Sequence, residues 1–136
     1  MGSPYISARV GVVMGGWSGE HEVSLNSGTA IAQALLRRGY EVSQIVIPRA
    51  AEAAQLDLLA TLRTAAVDVV FLALHGRMGE DGCIQGLLEI AGIPYTGTGV
   101  LSSALAMDKL KSKELFLLHN VPTPPYYAVS VEQDLA

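Results

Sequence analysis

The sequence has 136 residues, of which 50% are hydrophobic and 16% are charged, and its formal net charge is −4. This length suits one domain with a buried core and is too short for two domains. The apolar content excludes a disordered chain, the net negative charge argues against a dedicated nucleic-acid binder, and the single cysteine, Cys83, excludes an internal disulfide.

Short apolar runs alternate with longer helical patterns along the chain. The predicted elements are strands over 9–14, 40–47, 67–74, 93–96 and 126–130, and helices over 21–38, 50–65, 83–91 and 99–119, the last being the longest. This alternation predicts an α/β fold with a doubly wound, mostly parallel sheet and helices on both faces. The nearly continuous apolar run 67–74 is typical of a parallel strand that is covered on both sides.

Two glycine-rich loops, 15–24 and 75–82, follow the first and third predicted strands. Because ligands bind outside the carboxyl ends of parallel strands in such folds, both loops are candidate binding elements. The glycines of the first loop run Gly-Gly-x-x-Gly, which argues against a dinucleotide-binding turn. Leu25 stands where a zincin motif needs a second histidine after His21, and we predict no metal site in this chain.

Three charged or titratable residues are candidates for ligand contacts. Glu20 lies at the start of a predicted helix, where it either stabilises the positive helix end or binds a ligand's ammonium group. His75 ends a buried strand and is either a hydrogen-bonded loop residue or a contact for a ligand carboxylate or phosphate. Lys109 lies on the longest predicted helix, where it faces either solvent or a nucleotide phosphate.

The polar neighbours of these candidates receive structural interpretations. We expect Glu22 and Ser24 to be cap or solvent residues, and Glu80 and Asp81 to cap the helix that follows them. Cys83 is expected to be an inert packing residue of that helix.

Three segments, in the family's order and spacing, resemble the D-alanine–D-alanine ligases. They are GGWSGEHEVSLNSG at 15–28, ALHGRMGEDG at 73–82 with Gln85 and Gly86, and PYTGTG at 94–99 followed by ALAMDK at 104–109. The resemblance covers nearly the whole chain and implies a Rossmann-like pre-ATP-grasp domain.

By this resemblance the protein is an ATP-dependent carboxylate–amine ligase that makes D-Ala-D-Ala for peptidoglycan and hence cell-wall synthesis. ATP phosphorylates the carboxylate of the first D-alanine, and the amine of the second attacks the acyl phosphate. Glu20 matches the catalytic glutamate that orients the first D-alanine through its ammonium group. Val23 matches a residue that lines the same substrate subsite, His75 matches the histidine near the substrate carboxylate, and Lys109 matches the lysine that reaches the nucleotide.

The resemblance reaches only the first domain of a multidomain family. We therefore expect residues 1–136 to be a single N-terminal substrate-binding domain, inactive alone, with the central and C-terminal ATP-grasp domains absent from this chain. The implied cofactors are ATP and Mg²⁺, with the metal ligands in the missing C-terminal region. D-alanine and ATP are the expected partners, without nucleic acid or membrane. We also expect a full-length homodimer and a cytoplasmic location. The alternative is a non-catalytic small-ligand binding module of the same fold.

Overall fold

A computed structural model of the chain describes residues 7–49 and 57–129. Within these residues, three parallel strands form one sheet: β1 (Arg9–Gly15), β2 (Glu41–Ile47) and β3 (Val69–Leu72). The spatial order is β2-β1-β3, so β1 is the central strand and pairs with β2 along its whole length. Parallel neighbours need a crossover connection, and α1 lies between β1 and β2 while α2 lies between β2 and β3 along the chain.

The helices of the described residues are α1 (His21–Arg37), α2 (Leu58–Thr64), α3 (Cys83–Ala91), α4 (Val100–Met107) and α5 (Lys109–Leu118). The helix α1 follows β1, α2 precedes β3, and α4 contacts both α3 and α5. None of these described helices combines the length and the apolar character that crossing a bilayer requires.

Helices cover both faces of the sheet, as the sequence predicted. Successive side chains of a strand point to opposite faces. Val12 of β1 accordingly packs in the core beneath α1, whereas Val13 packs on the other face with Leu62 of α2 and Leu88 of α3. Val12 and Val13 are both 0% exposed, and burying each contributes about 1.5–3 kcal/mol. The predicted doubly wound α/β class is therefore confirmed.

The prediction of one continuous helix over 99–119 is wrong. Asp108 adopts an extended conformation (φ −87°, ψ 98°), which ends α4 and begins α5. The Asp108 carboxylate accepts a hydrogen bond from the Lys111 amide at 2.9 Å, and aspartate is a favoured residue at this capping position. With 17 residues, α1 is the longest helix of the described chain.

The weaker predicted elements differ most from the structure. Instead of a strand over 93–96, a single parallel bridge joins Tyr95 to Val70 of β3. Residues 126–129 form no strand, and residue 130 lies outside the described residues. Of the helix predicted over 50–65, residues 58–64 are helical and residues 50–56 lie outside the described residues.

Candidate functional site

The two glycine-rich loops meet at the carboxyl ends of β1 and β3. Ser18, in the loop after β1, donates its hydroxyl hydrogen to the His75 carbonyl oxygen at 2.8 Å. The same hydroxyl accepts a hydrogen bond from the Glu20 amide at 3.1 Å. The main-chain groups of Glu20 and His75, two candidates that are distant in sequence, therefore both form hydrogen bonds with the Ser18 hydroxyl.

Glu20 occupies the N-cap position of α1, but its side chain makes no capping hydrogen bond. The carboxylate is exposed and lies beside Gly76, where a Cβ atom would stand 2.6 Å from Glu20 Oε2. The location at the helix start is as predicted, and negative charge is favourable there. Both interpretations therefore stay open, since the charge at the helix start stabilises α1 and the exposed carboxylate is also accessible to a ligand.

His75 lies against one face of α1. Its Nε2 atom is 3.3 Å from Oγ of Ser27, which is on that helix. Glu20, Val23 and Ser27 have the i, i+3, i+7 spacing that places residues on one helical face. Val23 is 54% exposed, so its side chain is accessible on this face. The structure therefore places Glu20, Val23 and His75 along one face of α1 at the carboxyl ends of β1 and β3, a region that we name the crevice.

Ser24 holds the two strand ends that carry these loops. Its side chain is fully buried, accepts a hydrogen bond from the Gly15 amide at 2.8 Å and donates one to the Ala73 carbonyl at 2.7 Å. The expectation that Ser24 is a cap or solvent residue is therefore wrong. Since both partners are main-chain groups, Ser24 fixes the end of β1 relative to the residue that follows β3.

The loop after β3 is held by its own acidic side chains. Glu80 accepts a hydrogen bond from the Gly76 amide at 2.6 Å, so it closes the loop and does not cap the next helix. Asp81 accepts hydrogen bonds from the amides of Met78 and Cys83, the latter being the first residue of α3. Partial burial acts to raise the pKa of Asp81, but these hydrogen bonds outweigh it and hold the pKa below its usual value.

Cys83 was expected to be a packing residue of α3, but its side chain is exposed. Its hydrogen bond with Asp81 raises the pKa of the thiol, which makes the thiolate scarcer than in a free cysteine. Cys83 lines a cavity of about 540 Å³ beside the crevice, together with His75 and the half-exposed Trp17.

Lys109 lies apart from the crevice. It is the first residue of α5, is exposed, and lines a second groove of about 450 Å³ that shares no lining residue with the cavity at His75. Its neighbours are engaged, since Lys111 pairs with Glu114 at 2.8 Å and Lys113 donates to Thr123 at 2.8 Å. The described residues give Lys109 no ion pair of its own, which leaves its ammonium group available to an anion.

The described residues do not form a metal site. In residues 7–49 and 57–129, no three histidine, cysteine, aspartate or glutamate side chains converge as metal ligands would. Mg²⁺ binding normally requires convergent oxygen ligands. This part of the chain therefore does not fit a Mg²⁺ ion.

Sequence reasoning missed Ser18 and Ser27. The i, i+7 spacing from Glu20 to Ser27 on one helix could have indicated that these two residues share a face. No pattern in the sequence distinguishes the Ser18 hydroxyl from that of any other loop serine.

The chain matches the family model described as D-ala D-ala ligase N-terminus, over residues 9–60 and 51–98. It is 52% identical over 118 residues to a D-alanine–D-alanine ligase of Desulforudis audaxviator, covering 87% of this chain and 36% of that relative. It is 47% identical over 126 residues to a ligase of the same name from Carboxydothermus hydrogenoformans, covering 93% of this chain and 38% of that relative. The chain thus spans little more than a third of the length of these relatives.

Solved structures show the same similarity. The crystal structure of a D-alanine–D-alanine ligase from Bacillus anthracis complexed with ATP aligns with a TM-score of 0.76 and 36% identity, over 96% of this chain and 42% of that one. A D-alanine–D-alanine ligase from Coxiella burnetii aligns with a TM-score of 0.77 and 26% identity, over 93% of this chain and 45% of that one.

Proposed function

The chain belongs to the D-ala D-ala ligase N-terminus family, and from this we propose that it binds the first D-alanine in an ATP-dependent ligase that makes D-Ala-D-Ala. The observation that carries the proposal is the crevice in which the exposed Glu20 carboxylate and His75 lie at one end of the sheet, joined through Ser18. The relatives are named as ligases, so the alternative of a non-catalytic module is not favoured.

The proposed roles follow from the charges of an amino acid. Glu20 binds the ammonium group of D-alanine, and His75 donates a hydrogen bond to its carboxylate. Val23, one turn beyond Glu20 on the same face of α1, lines the subsite beside the substrate methyl group. Separate contacts to the ammonium, carboxylate and methyl groups would distinguish D-alanine from L-alanine, because the two enantiomers cannot place all three groups in the same positions.

The chain contributes positioning to the proposed reaction. ATP phosphorylates the carboxylate of the first D-alanine, and the amine of the second then displaces phosphate from the acyl phosphate. Holding the first D-alanine in one orientation presents its carboxylate to the nucleotide, and such orientation accounts for a large share of enzymatic rate enhancement. We propose that Lys109 contributes a positive charge toward the nucleotide.

The rest of the reaction is assigned to residues beyond this chain. We propose that 1–136 is the N-terminal domain of a longer ligase whose ATP-grasp domains bind most of the nucleotide and supply the Mg²⁺ ligands. Alone, the chain is therefore expected to hydrolyse no ATP. Because the reaction consumes ATP, the proposal includes a cytoplasmic location. That the full-length protein is a homodimer stays a prediction.

The proposal is tested in the longer ligase by a substitution that removes the negative charge of Glu20 and keeps the shape of its side chain. Glu20→Gln should lower kcat/KM for the first D-alanine by about tenfold or more, since the loss of a charge-assisted hydrogen bond costs about 1.5–3 kcal/mol. The KM for ATP should stay as in the wild type, and the free energy of unfolding should fall by no more than about 1 kcal/mol, the contribution of a charge at a helix start.

Glu22→Gln is the matched control, because Glu22 lies on the same helical turn, is exposed and pairs with Arg49 at 2.7 Å. It should leave the kinetics for D-alanine unchanged. A Glu20→Gln enzyme with normal D-alanine kinetics would remove Glu20 from the substrate site.

A further inference from the structure

The Ser18 hydroxyl connects the two halves of the crevice. It is half-buried, donates to the His75 carbonyl at 2.8 Å and accepts from the Glu20 amide at 3.1 Å. The second bond is local, over two residues, and is common for serine near a helix start. The first bond spans 57 residues of sequence and is not explained by any local turn.

Ser18 also packs where the Glu20 carboxylate contacts the main chain. A Cβ atom at Gly76 would stand 2.6 Å from Glu20 Oε2, 3.1 Å from Ser18 Cβ and 3.3 Å from Ser18 Oγ. The Glu20 carboxylate and the Ser18 side chain thus both lie beside Gly76. The one hydrogen bond between the two residues joins the Ser18 hydroxyl to the Glu20 amide, so Ser18 acts on Glu20 through its main chain.

We propose that Ser18 is a positioning residue of the first D-alanine site, which sets the placement of Glu20 relative to His75 through the main chain of both residues. This inference rests on the proposed function. Ser18 itself need not touch the substrate, because its two hydrogen bonds go to the Glu20 amide and the His75 carbonyl.

The role requires a group that donates and accepts at once. A hydroxyl can do both, whereas alanine can do neither and a thiol does both only weakly. Threonine keeps the hydroxyl and adds a methyl group. The order of activity expected from the geometry is therefore serine, threonine, cysteine, alanine.

The experiment measures steady-state kinetics and thermal melts of the longer ligase with Ser18→Ala and Ser18→Thr. Ser18→Ala should lower kcat/KM for the first D-alanine by about tenfold, since misplacing reacting groups by about 1 Å has effects of this size or larger. The KM for ATP should be unchanged, and Ser18→Thr should recover most of the lost activity.

Ser43→Ala is the matched control. Ser43 is a half-buried serine in the middle of β2, and its hydroxyl has no hydrogen-bond partner among the described residues. This variant should have the kinetics of the wild type. Comparing the two variants distinguishes the effect of losing any half-buried hydroxyl from the effect of losing the hydrogen bond between the loops.

The outcomes distinguish this inference from the proposed function. If Ser18→Ala lowers only the melting temperature while Glu20→Gln and His75→Ala impair use of D-alanine, Ser18 is structural and the substrate site stands. If all three variants have normal D-alanine kinetics, the substrate site itself is misplaced. Should Ser18→Ala not fold, Ser18→Cys takes its place, and wild-type kinetics in that variant would overturn the inference.

Discussion

The Glu20 carboxylate lies against the main chain of Gly76 so closely that a Cβ atom at position 76 would stand 2.6 Å from Oε2. Gly76 has φ +69°, a left-handed conformation that side chains with a Cβ atom rarely adopt. Two independent requirements, backbone conformation and contact with Glu20, therefore call for glycine at this position.

The two requirements can be separated by comparing Gly76→Ala with Gly92→Ala. Gly92 has φ +68°, nearly the same as Gly76, but a Cβ atom there would meet nothing within 4 Å. Both substitutions should lower the free energy of unfolding by about 1–2 kcal/mol, the cost of a left-handed residue with a side chain. Only Gly76→Ala should also displace Glu20 and lower kcat/KM for the first D-alanine, by about tenfold.

Urea unfolding and steady-state kinetics of the two variants check this expectation. Equal kinetics in both variants would show that the contact between Gly76 and Glu20 has no bearing on substrate use.

Removing the side chain of Lys109 should weaken nucleotide binding without affecting D-alanine. If its ammonium group reaches ATP, Lys109→Ala in the longer ligase should raise the KM for ATP by about tenfold, the loss expected for a hydrogen bond to a charged group. Lys111→Ala is the control, since Lys111 lies on the same helix and is paired with Glu114 at 2.8 Å. An equal rise in the KM for ATP in both variants would indicate a general effect of helix charge.

Asp81 should give the chain a stability that is lost in acid. Burial acts to raise its pKa, but hydrogen bonds from Met78 and Cys83 dominate, so its pKa in the folded chain lies below the unfolded value of about 3.9. A lowered folded pKa stabilises the protein fully above the unfolded pKa, and this stabilisation disappears as the pH falls through the folded pKa.

In Asp81→Asn, the free energy of unfolding should therefore be lower at pH 6 and should fall less steeply below about pH 4. Urea unfolding of the 136-residue chain between about pH 2 and pH 6 measures this difference. Glu41→Gln serves as the control, because Glu41 is exposed and has no hydrogen-bond donor for its side chain among the described residues. Parallel pH curves for Asp81→Asn and the wild type would contradict the assignment.

The sequence predicted best the elements whose ends are marked by local chemistry. The helix α3 runs from Cys83 to Ala91 as predicted, and Gly92 ends it in the left-handed conformation that glycine favours. The break at Asp108 was missed because the flanking pattern is compatible with one helix. An aspartate within such a pattern can face solvent or begin a new helix, and tertiary contacts decide between the two.

The candidate site was predictable only in part. Glu20 and His75 were singled out because one begins a helix and the other follows a buried strand, and the resemblance to the D-alanine–D-alanine ligases gave each its predicted role. Ser18, Ser24 and Ser27 were not, because their hydroxyl groups bond to partners 57, 49 and 48 residues away. A serine side chain is compatible with many environments, and only the folded sheet specifies which partner it meets.

The long-range contact from Ser18 to His75 also bears on how the crevice forms during folding. The strands that carry the two residues become neighbours only after the chain has completed the crossovers through α1 and α2. Contacts between residues so far apart in sequence carry a high entropic cost of chain closure and tend to form slowly. The helix α1 can begin to form from local interactions, but the crevice exists only once β3 has paired with β1. A chain in which β3 has not yet paired with β1 would therefore have the α1 face of the crevice without its His75 side.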